Sequence, residues 1–224
     1  PESVDKMILL DAVTPAERSE DLDARVEIVS SDISDRDQVM QLITGNSLSV
    51  FHFASVVSAG AEQDFDLALK VNLDGGLNVL EAARAAPSQP RVVFTSSLAV
   101  FGGSALPDTV SDDTKITPMT TYGMTKAVNE LLLNDYTRKG FIDGRGARLP
   151  TVIIRPGKPN KAASGFASGL FREPLSGTDY ELPVSNETRM AVSGYRTIID
   201  GILALHEADS EAVGDDRSIN LPSI

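Results

Sequence analysis

Short apolar runs alternate with longer amphipathic stretches along the whole chain. The short runs have the length of strands and predict them at residues 6–11, 25–30, 48–53, 91–96, 147–154 and 218–221. The longer stretches repeat apolar residues at helical spacing and predict helices at residues 35–42, 64–86, 121–139 and 192–207. Strands alternating with such helices predict an α/β fold, a Rossmann-like doubly wound parallel sheet covered on both faces.

The pattern changes after Arg155. Residues 156–190 contain four prolines and four glycines and show little periodicity. We therefore expect a main domain over residues 1–155, a small loop-rich subdomain over 156–190, and a helix and strand over 191–224 that return to the main domain. The last predicted strand lies so close to Ile224 that we expect the protein to continue beyond it.

The composition excludes several classes of function. The chain has 20 Lys and Arg against 32 Asp and Glu, a formal net charge of −12, and it has no cysteine. The acidic balance argues against nucleic-acid and anionic-membrane partners, and the lack of cysteine excludes disulfides and thiolate chemistry. No apolar run approaches the length of a membrane span, no secretory signal is evident, and no His, Asp and Glu residues have metal-ligand spacing. We expect a cytoplasmic protein without a metal.

Two acidic residues stand at predicted strand ends, where doubly wound sheets bind their ligands. Asp11 ends the first strand, and a carboxylate there can accept hydrogen bonds from both hydroxyls of an adenosine ribose. Asp32 and Ile33 end the second strand and could contact an adenine amino group and ring face. An aspartate after a strand is also a common helix cap or turn former, so both interpretations stay open.

A tyrosine and a lysine four residues apart form the most specific pattern in the chain. Tyr122 and Lys126 begin a predicted helix and share one of its faces, and Ser97 stands in a hydroxyl-rich turn 25 residues earlier. A phenol has a pKa near 10, about three units too high for a base at neutral pH. The Lys126 ammonium is expected to favour the phenolate, while Ser97 holds a substrate oxygen. A surface helix with an incidental Tyr–Lys contact is the structural alternative.

Five segments appear in the order typical of one enzyme family. They are Leu48–Ser58, Val71–Gly75, Thr95–Gly102, Tyr122–Lys126 and Arg148–Pro156, and they extend over most of the chain. The chain resembles the extended short-chain dehydrogenase/reductases, the NAD-dependent epimerase/dehydratase family. The resemblance implies an enzyme whose main domain binds NAD and whose residues 156–190 bind substrate.

The resemblance also implies roles for particular residues. Tyr122 is the general base, Ser97 orients the substrate, Lys126 binds the nicotinamide ribose and tunes Tyr122, and Asn72 completes the catalytic set. The expected shift of the phenol pKa is attainable if the nicotinamide charge contributes. Further cofactor contacts are expected from Phe53, Ala54, Ser55 and Val152. The two long helices are expected to form a homodimer, with Leu77 and Leu133 as contact residues.

One family feature is missing from residues 1–224. The family's first strand and its Gly-x-x-Gly-x-x-Gly turn, which cradles the pyrophosphate, have no counterpart, because the first glycine is Gly45. We expect the first βα unit to precede Pro1, because Asp11 and Asp32 would have little reason to accompany a lost pocket. A non-catalytic dinucleotide-sensing protein is the alternative that this departure suggests.

The segment that begins at Arg155 narrows the range of candidate substrates. It is similar to the branch of the family whose members oxidise the C2 hydroxyl of D-erythronate to the 2-keto acid with NAD. Arg155 and Lys158 could pair with the carboxylate of such a sugar acid. A solvated basic loop without a ligand is the structural alternative for both residues. Ser58 and Thr121 are further candidates for substrate hydroxyls. The other enzymatic alternative is a nucleotide-sugar 4-epimerase or dehydratase.

Overall fold

The computed structural model describes residues 4–14, 21–155 and 162–224. The strands are β1 (Met7–Asp11), β2 (Val26–Ser30), β3 (Ser49–His52), β4 (Arg91–Ser97), β5 (Asp143–Leu149), β6 (Thr151–Ile153), β7 (Val192–Gly194) and β8 (Ser218–Asn220). The helices are α1 (Arg36–Leu42), α2 (Ser58–Gln63), α3 (Phe65–Ala68), α4 (Gly75–Ala85), α5 (Thr121–Arg138), α6 (Phe166–Leu175), α7 (Tyr195–Glu207) and α8 (Ser210–Val213). A π-helical segment, Leu69–Asp74, joins α3 to α4, and 3₁₀ turns cover Leu98–Val100 and Ala163–Gly165.

All strand pairs in these ranges are parallel. The four-stranded sheet has the order β3-β4-β5-β8, while β1 pairs with β2 and β6 pairs with β7. Within the described residues, no strand ladder joins the β1–β2 pair to the four-stranded sheet. Parallel strands bring all their carboxyl ends to one edge of a sheet, and this edge is where the candidate site lies.

Helices cover both faces of β4 because its side chains alternate between them. Val92 and Phe94 pack on one face against α4 and α5, and Val93 packs on the other face against α7. A third cluster places Val39 of α1 against Val79 of α4. The predicted doubly wound α/β architecture is confirmed, and its packing holds the start of α5 beside the end of β4.

Strand β5 begins earlier than predicted, inside the glycine-containing stretch 140–146 that separates the predicted helix 121–139 from the predicted strand 147–154. The glycines serve packing. A Cβ on Gly144 would lie 2.8 Å from the Leu133 Cγ atom of α5, and one on Gly146 would overlap Ser218 of β8. Glycine in a strand commonly marks such a close approach.

Three further element boundaries differ from the prediction. The expected helix 64–86 is divided, because Asp64 ends α2 and caps α3 by accepting a hydrogen bond from the Leu67 N–H, and the π-helical segment follows. Residues 192–194 pair with β6 before α7 begins. The expected loop-rich segment contains the ten-residue helix α6. None of the helices in the described ranges has the length and apolar character to cross a membrane.

Leu133 was wrongly predicted to contact a second copy of the chain. Its side chain is 1% exposed and packs inside the core with Leu80, Val92 and Phe94. Leu77, the other predicted contact, is 40% exposed on α4. The apolar periodicity of α5 showed that the helix has an apolar face. It did not show whether Leu133 on that helix packs in the core or against a second copy of the chain.

Candidate active site

The end of β4 and the start of α5 bring the predicted catalytic residues together. Ser97 is the last residue of β4, and its hydroxyl caps the following 3₁₀ turn by accepting a hydrogen bond from the Ala99 N–H. Helix α5 begins beside this turn, and the Thr120 hydroxyl caps it by accepting from the Gly123 N–H at 3.0 Å. The Tyr122 side chain, in the first turn of α5, lies close enough to the Ser97 hydroxyl for that hydroxyl to lower the pKa of the phenol.

Lys126 lies directly behind this pair. Its side chain is buried, and its Nζ donates a 2.7 Å hydrogen bond to the Thr95 carbonyl oxygen of β4. The same Nζ lies 5.5 Å from the Tyr122 ring centroid and 4.7 Å from the Phe94 ring centroid. Serine, tyrosine and lysine therefore occupy one environment at the carboxyl end of a central strand, as the spacing predicts.

The protein's own groups do not lower the pKa of the phenol. Burial raises the pKa of Tyr122 above its usual value, and the hydrogen bond from Ser97 only partly opposes this. Burial also lowers the pKa of Lys126 to about 7, against an opposing effect of the Glu130 carboxylate. The expectation that Lys126, together with the nicotinamide charge, moves the pKa of the phenol toward neutrality stays a prediction, and the burial of both side chains opposes it.

Asn72 has a structural task that differs from the predicted catalytic one. Its buried amide accepts from the Val56 N–H at 2.7 Å and from the Ser55 hydroxyl, and it donates to the Val56 carbonyl and the Thr125 hydroxyl, each at 3.1 Å. Both donor hydrogens and both acceptor positions of the side chain are thereby used. Asn72 ties the loop after β3 to α5 and has no side-chain hydrogen bond left for a substrate.

The two acidic residues proposed for the adenosine lie exposed at the carboxyl ends of paired strands. Asp11 accepts from the Val13 N–H at 2.9 Å, and Asp32 accepts from the Ser34 N–H and hydroxyl, with the Lys70 Nζ at 3.4 Å. Both make the local turn contacts of the structural alternative while remaining accessible. Ile33 is 8% exposed and packs in the core, so little of its side chain is left for an adenine ring.

The loop after β3 supplies the other predicted cofactor contacts. Phe53 is 56% exposed, and Ala54 and Ser55 are half-buried at the same carboxyl edge. Val152 lies in β6 and packs partly against the core cluster beneath α7. Because β3 pairs with β4, the 53–55 loop that follows β3 lies beside the end of β4.

On the predicted substrate side, Arg155 stands out. Its Nη2 atom is buried and has no hydrogen-bond partner in the described part of the chain, and burial together with the nearby Arg172 charge lowers the pKa of Arg155. A guanidinium in this state fits an anionic group. The Ser58 hydroxyl accepts from the Ala163 N–H, and the Thr121 N–H donates to Glu62. Lys158 lies outside the described residues.

A buried ionic cluster behind the site was not predicted. Arg148 contacts both carboxylate oxygens of Glu130, with its Nε 3.0 Å from Oε1 and its Nη2 2.9 Å from Oε2. The Ser96 hydroxyl also donates to Glu130. Glu130 and Arg148 are 2% and 1% exposed. The sequence signal was available, because Glu130 follows Lys126 by four residues and Arg148 interrupts an apolar strand.

The described residues show no cluster of His, Asp or Glu that could hold a metal ion. His52 is buried on β3 beside the Phe94 ring, with 5.5 Å between ring centroids. Burial, aided by the Lys126 charge, lowers the pKa of His52 to about 3. His52 is therefore neutral at pH 7 and does not compete with Tyr122 as the base.

A parallel Rossmann-like sheet that gathers a serine, a tyrosine and a lysine at one strand end defines the class: an NAD-dependent oxidoreductase of the short-chain type. The model of the NAD dependent epimerase/dehydratase family matches residues 3–215. The chain belongs to this family.

Individual relatives agree with that membership. The chain is 47% identical to a D-erythronate dehydrogenase of Cupriavidus necator over 100% of its own length and 68% of that protein, and 44% identical to one of Haemophilus influenzae over 98% and 69%. Among solved structures, a nucleoside-diphosphate-sugar epimerase of Agrobacterium tumefaciens superposes with a TM-score of 0.85 at 40% identity, covering 98% of this chain and 65% of that one. A monomeric L-threonine 3-dehydrogenase from a metagenome gives 0.84 at 27% identity, covering 98% and 69%. The chain thus spans about two thirds of the length of these relatives.

Proposed function

We propose that the protein oxidises the C2 hydroxyl of a small sugar acid such as D-erythronate to the 2-keto acid, with NAD as the cofactor. The observation that carries this proposal is the Ser97–Tyr122–Lys126 arrangement at the end of β4, in a chain 44–47% identical to two D-erythronate dehydrogenases. The nucleoside-diphosphate-sugar epimerase at 40% identity favours a second candidate, epimerisation or dehydration of a nucleotide sugar.

The residues divide the proton chemistry between them. Ser97 donates a hydrogen bond to the substrate oxygen and orients the hydroxyl toward Tyr122, which takes the hydroxyl proton as general base. Lys126 contributes a positive charge beside the phenol, and bound NAD supplies the acceptor for the C2 hydrogen together with a further positive charge. Because burial opposes the phenolate, the base needs both charges to act near neutral pH.

The chain has suitable groups for holding the cofactor along the carboxyl edge of its strands. Asp11 offers an exposed carboxylate for the adenosine ribose, and Asp32 offers one beside it on the paired strand. We assign Phe53, Ala54 and Ser55 to the middle of the cofactor, and Lys126 to the nicotinamide ribose. In this assignment residues 1–155 are the NAD-binding domain.

Arg155 is assigned to the substrate carboxylate. One guanidinium nitrogen of Arg155 is buried without an acceptor, and a second arginine lies nearby. A carboxylate would neutralise this positive charge and could accept two hydrogen bonds from the guanidinium. Ser58 and Thr121 are left for the sugar hydroxyls, and Lys158 for a second contact with the acid. Residues 156–190 form the substrate-binding segment in this proposal.

The proposal is tested by following NADH formation by the full-length protein with sugar acids of three to six carbons. We expect D-erythronate to reduce NAD and Tyr122→Phe to lower kcat by about 10²–10⁴-fold, the usual contribution of a general base. Tyr195→Phe is the matched control, because this tyrosine is 48% exposed on α7 and belongs to no part of the site.

Undiminished turnover in Tyr122→Phe would contradict the mechanism. Conversion of UDP- or GDP-sugars without net NADH, combined with no oxidation of any sugar acid, would favour the epimerase or dehydratase.

A homodimer through α4 and α5 and a location in the cytoplasm complete the proposal. Leu77 on α4 and Leu131 on α5 are 40% and 66% exposed, and the two helices pack against each other. Exposed leucines on adjoining helices are suited to an interface with a second copy.

A further inference from the structure

The cluster of Glu130, Arg148 and Ser96 lies one helical turn behind the candidate site, and the mechanism above leaves it without a task. Ser96 and Arg148 face each other across the β4–β5 ladder, so both side chains project to the same face of the sheet. Glu130 meets them there from α5. A buried ion pair of this kind is often no more stabilising than apolar residues of similar volume, so its presence calls for another reason.

The position of Glu130 supplies that reason. Glu130 follows Lys126 by four residues on α5, which places the two side chains on the same helix face. Both are at least 97% buried. The two charged groups form no direct ion pair, but little water screens an opposite charge on the same helix face from a buried ammonium. Within the described residues the Lys126 Nζ donates its hydrogen bond to the Thr95 carbonyl, so Glu130 acts on it through its charge.

We propose that Glu130 is a positioning residue that acts through Lys126: its carboxylate, fixed by Arg148 and Ser96, keeps the buried lysine in its charged form so that Tyr122 can act as the base. Arg148 holds this buried carboxylate in place by a bidentate contact. The inference rests on the proposed function for its kinetic consequence but not for its electrostatic one.

The neighbouring charges agree with this assignment. The titratable groups facing Lys126 are Tyr122 and Glu130 on α5 and His52 on β3, while Arg148 on β5 lies beyond Glu130. Of these, Glu130 raises the pKa of Lys126, against burial, which lowers it to about 7. Without that carboxylate the pKa of Lys126 falls further, so more of the lysine is neutral at pH 7 and the phenolate loses its nearest cation.

The kinetic test uses Glu130→Gln, which keeps the shape of the side chain. We expect the acid limb of the kcat/KM–pH profile to move upward by about 1–3 pH units, the usual effect of one opposite charge at short range. Glu81→Gln is the matched control, because it removes another carboxylate paired with an arginine, on α4 and away from Lys126. An acid limb that stays in place in Glu130→Gln, or moves as far in Glu81→Gln, overturns the proposal.

A second measurement needs neither substrate nor cofactor. The difference in unfolding free energy between the wild type and Lys126→Met begins to depend on pH near the folded-state pKa of Lys126. We expect this onset to fall by about 1–3 pH units when the same comparison is made in the Glu130→Gln background. An unchanged onset overturns the proposal even if D-erythronate is not the substrate, so its failure is distinct from failure of the proposed function.

If Glu130→Gln does not fold because Arg148 is left unpaired, Glu130→Gln/Arg148→Gln removes both buried charges. Both measurements are then made in that background. Shifts in the same direction but smaller are expected, because losing the more distant Arg148 charge partly offsets losing the carboxylate on the helix face of Lys126, and unchanged values overturn the proposal.

Discussion

At the scale of single residues, Tyr122 and Lys126 lie where burial disfavours the charged form of each. A charged lysine that is buried lowers the stability of the folded state. The reason is that its ammonium group is solvated by water in the unfolded chain and loses that water on folding. Burial raises the pKa of Tyr122, whereas its spacing from Lys126 alone suggested that the pKa would be lowered. The reason is that β4 and α5 pack closely and exclude water from both side chains. Only packed coordinates show how much water these side chains lose.

Lys126→Met tests this point through stability. The folded-state pKa of Lys126 is about 7, against 10.5 for an ordinary lysine, so between these values the unfolded state binds more protons and stability rises with pH. We expect the unfolding free energy of the wild type to increase relative to Lys126→Met from about pH 7 to about pH 10, measured by urea denaturation at several pH values. Lys139→Met, on the exposed end of α5, should give a curve parallel to the wild type. Parallel curves for Lys126→Met would show that the lysine is not shifted by burial.

At the scale of elements, the site depends on how closely α5 approaches the turn after β4. A Cβ on Gly123 would overlap the Ala99 carbonyl oxygen, so only glycine permits this approach in the first turn of α5. The start of α5 was predicted from its amphipathic pattern, and the structure adds Thr120 as its cap. The reason for Gly123 was not, because a sequence does not show which backbone atom passes over a helix.

Gly123→Ala is expected to push α5 away from the 3₁₀ turn and to separate Tyr122 from Ser97. We expect kcat to fall by at least about tenfold and stability to fall by about 1–3 kcal/mol, the usual cost of an overpacked contact. Gly194→Ala is the matched control, since its nearest neighbour is 4.0 Å from the added atom. Kinetics and thermal unfolding check both variants, and wild-type values for Gly123→Ala would contradict the packing argument.

At the scale of the whole molecule, the doubly wound sheet has its two faces covered differently. Helices α4 and α5 cover one face and leave Leu77 and Leu131 exposed, while α7 covers the other and leaves Leu203 49% exposed. The proposed dimer uses the first face. An L-threonine 3-dehydrogenase described as monomeric has the same fold, so the fold by itself does not require a dimer.

Leu77→Asp/Leu131→Asp tests that interface. We expect the wild type to sediment as a dimer and the double variant as a monomer, because a carboxylate buried at an apolar contact lacks a partner. Leu203→Asp carries the same change on the opposite face and should remain dimeric. A wild-type protein that sediments as a monomer would contradict the proposed dimer.

The sequence by itself determined the alternation of strands and helices, the α/β class and the candidate trio of Ser97, Tyr122 and Lys126. The fold class follows from periodicity and the Tyr122–Lys126 pair from spacing within one helix, which are local properties of a chain. Ser97 was added from the hydroxyl-rich turn that precedes this helix. The tertiary structure decided that Leu133 faces the core, that the Asn72 amide is fully used, and that Glu130 and Arg148 meet behind Lys126. It also decided the direction of the pKa shifts, because burial and ion pairing depend on which distant segments come together.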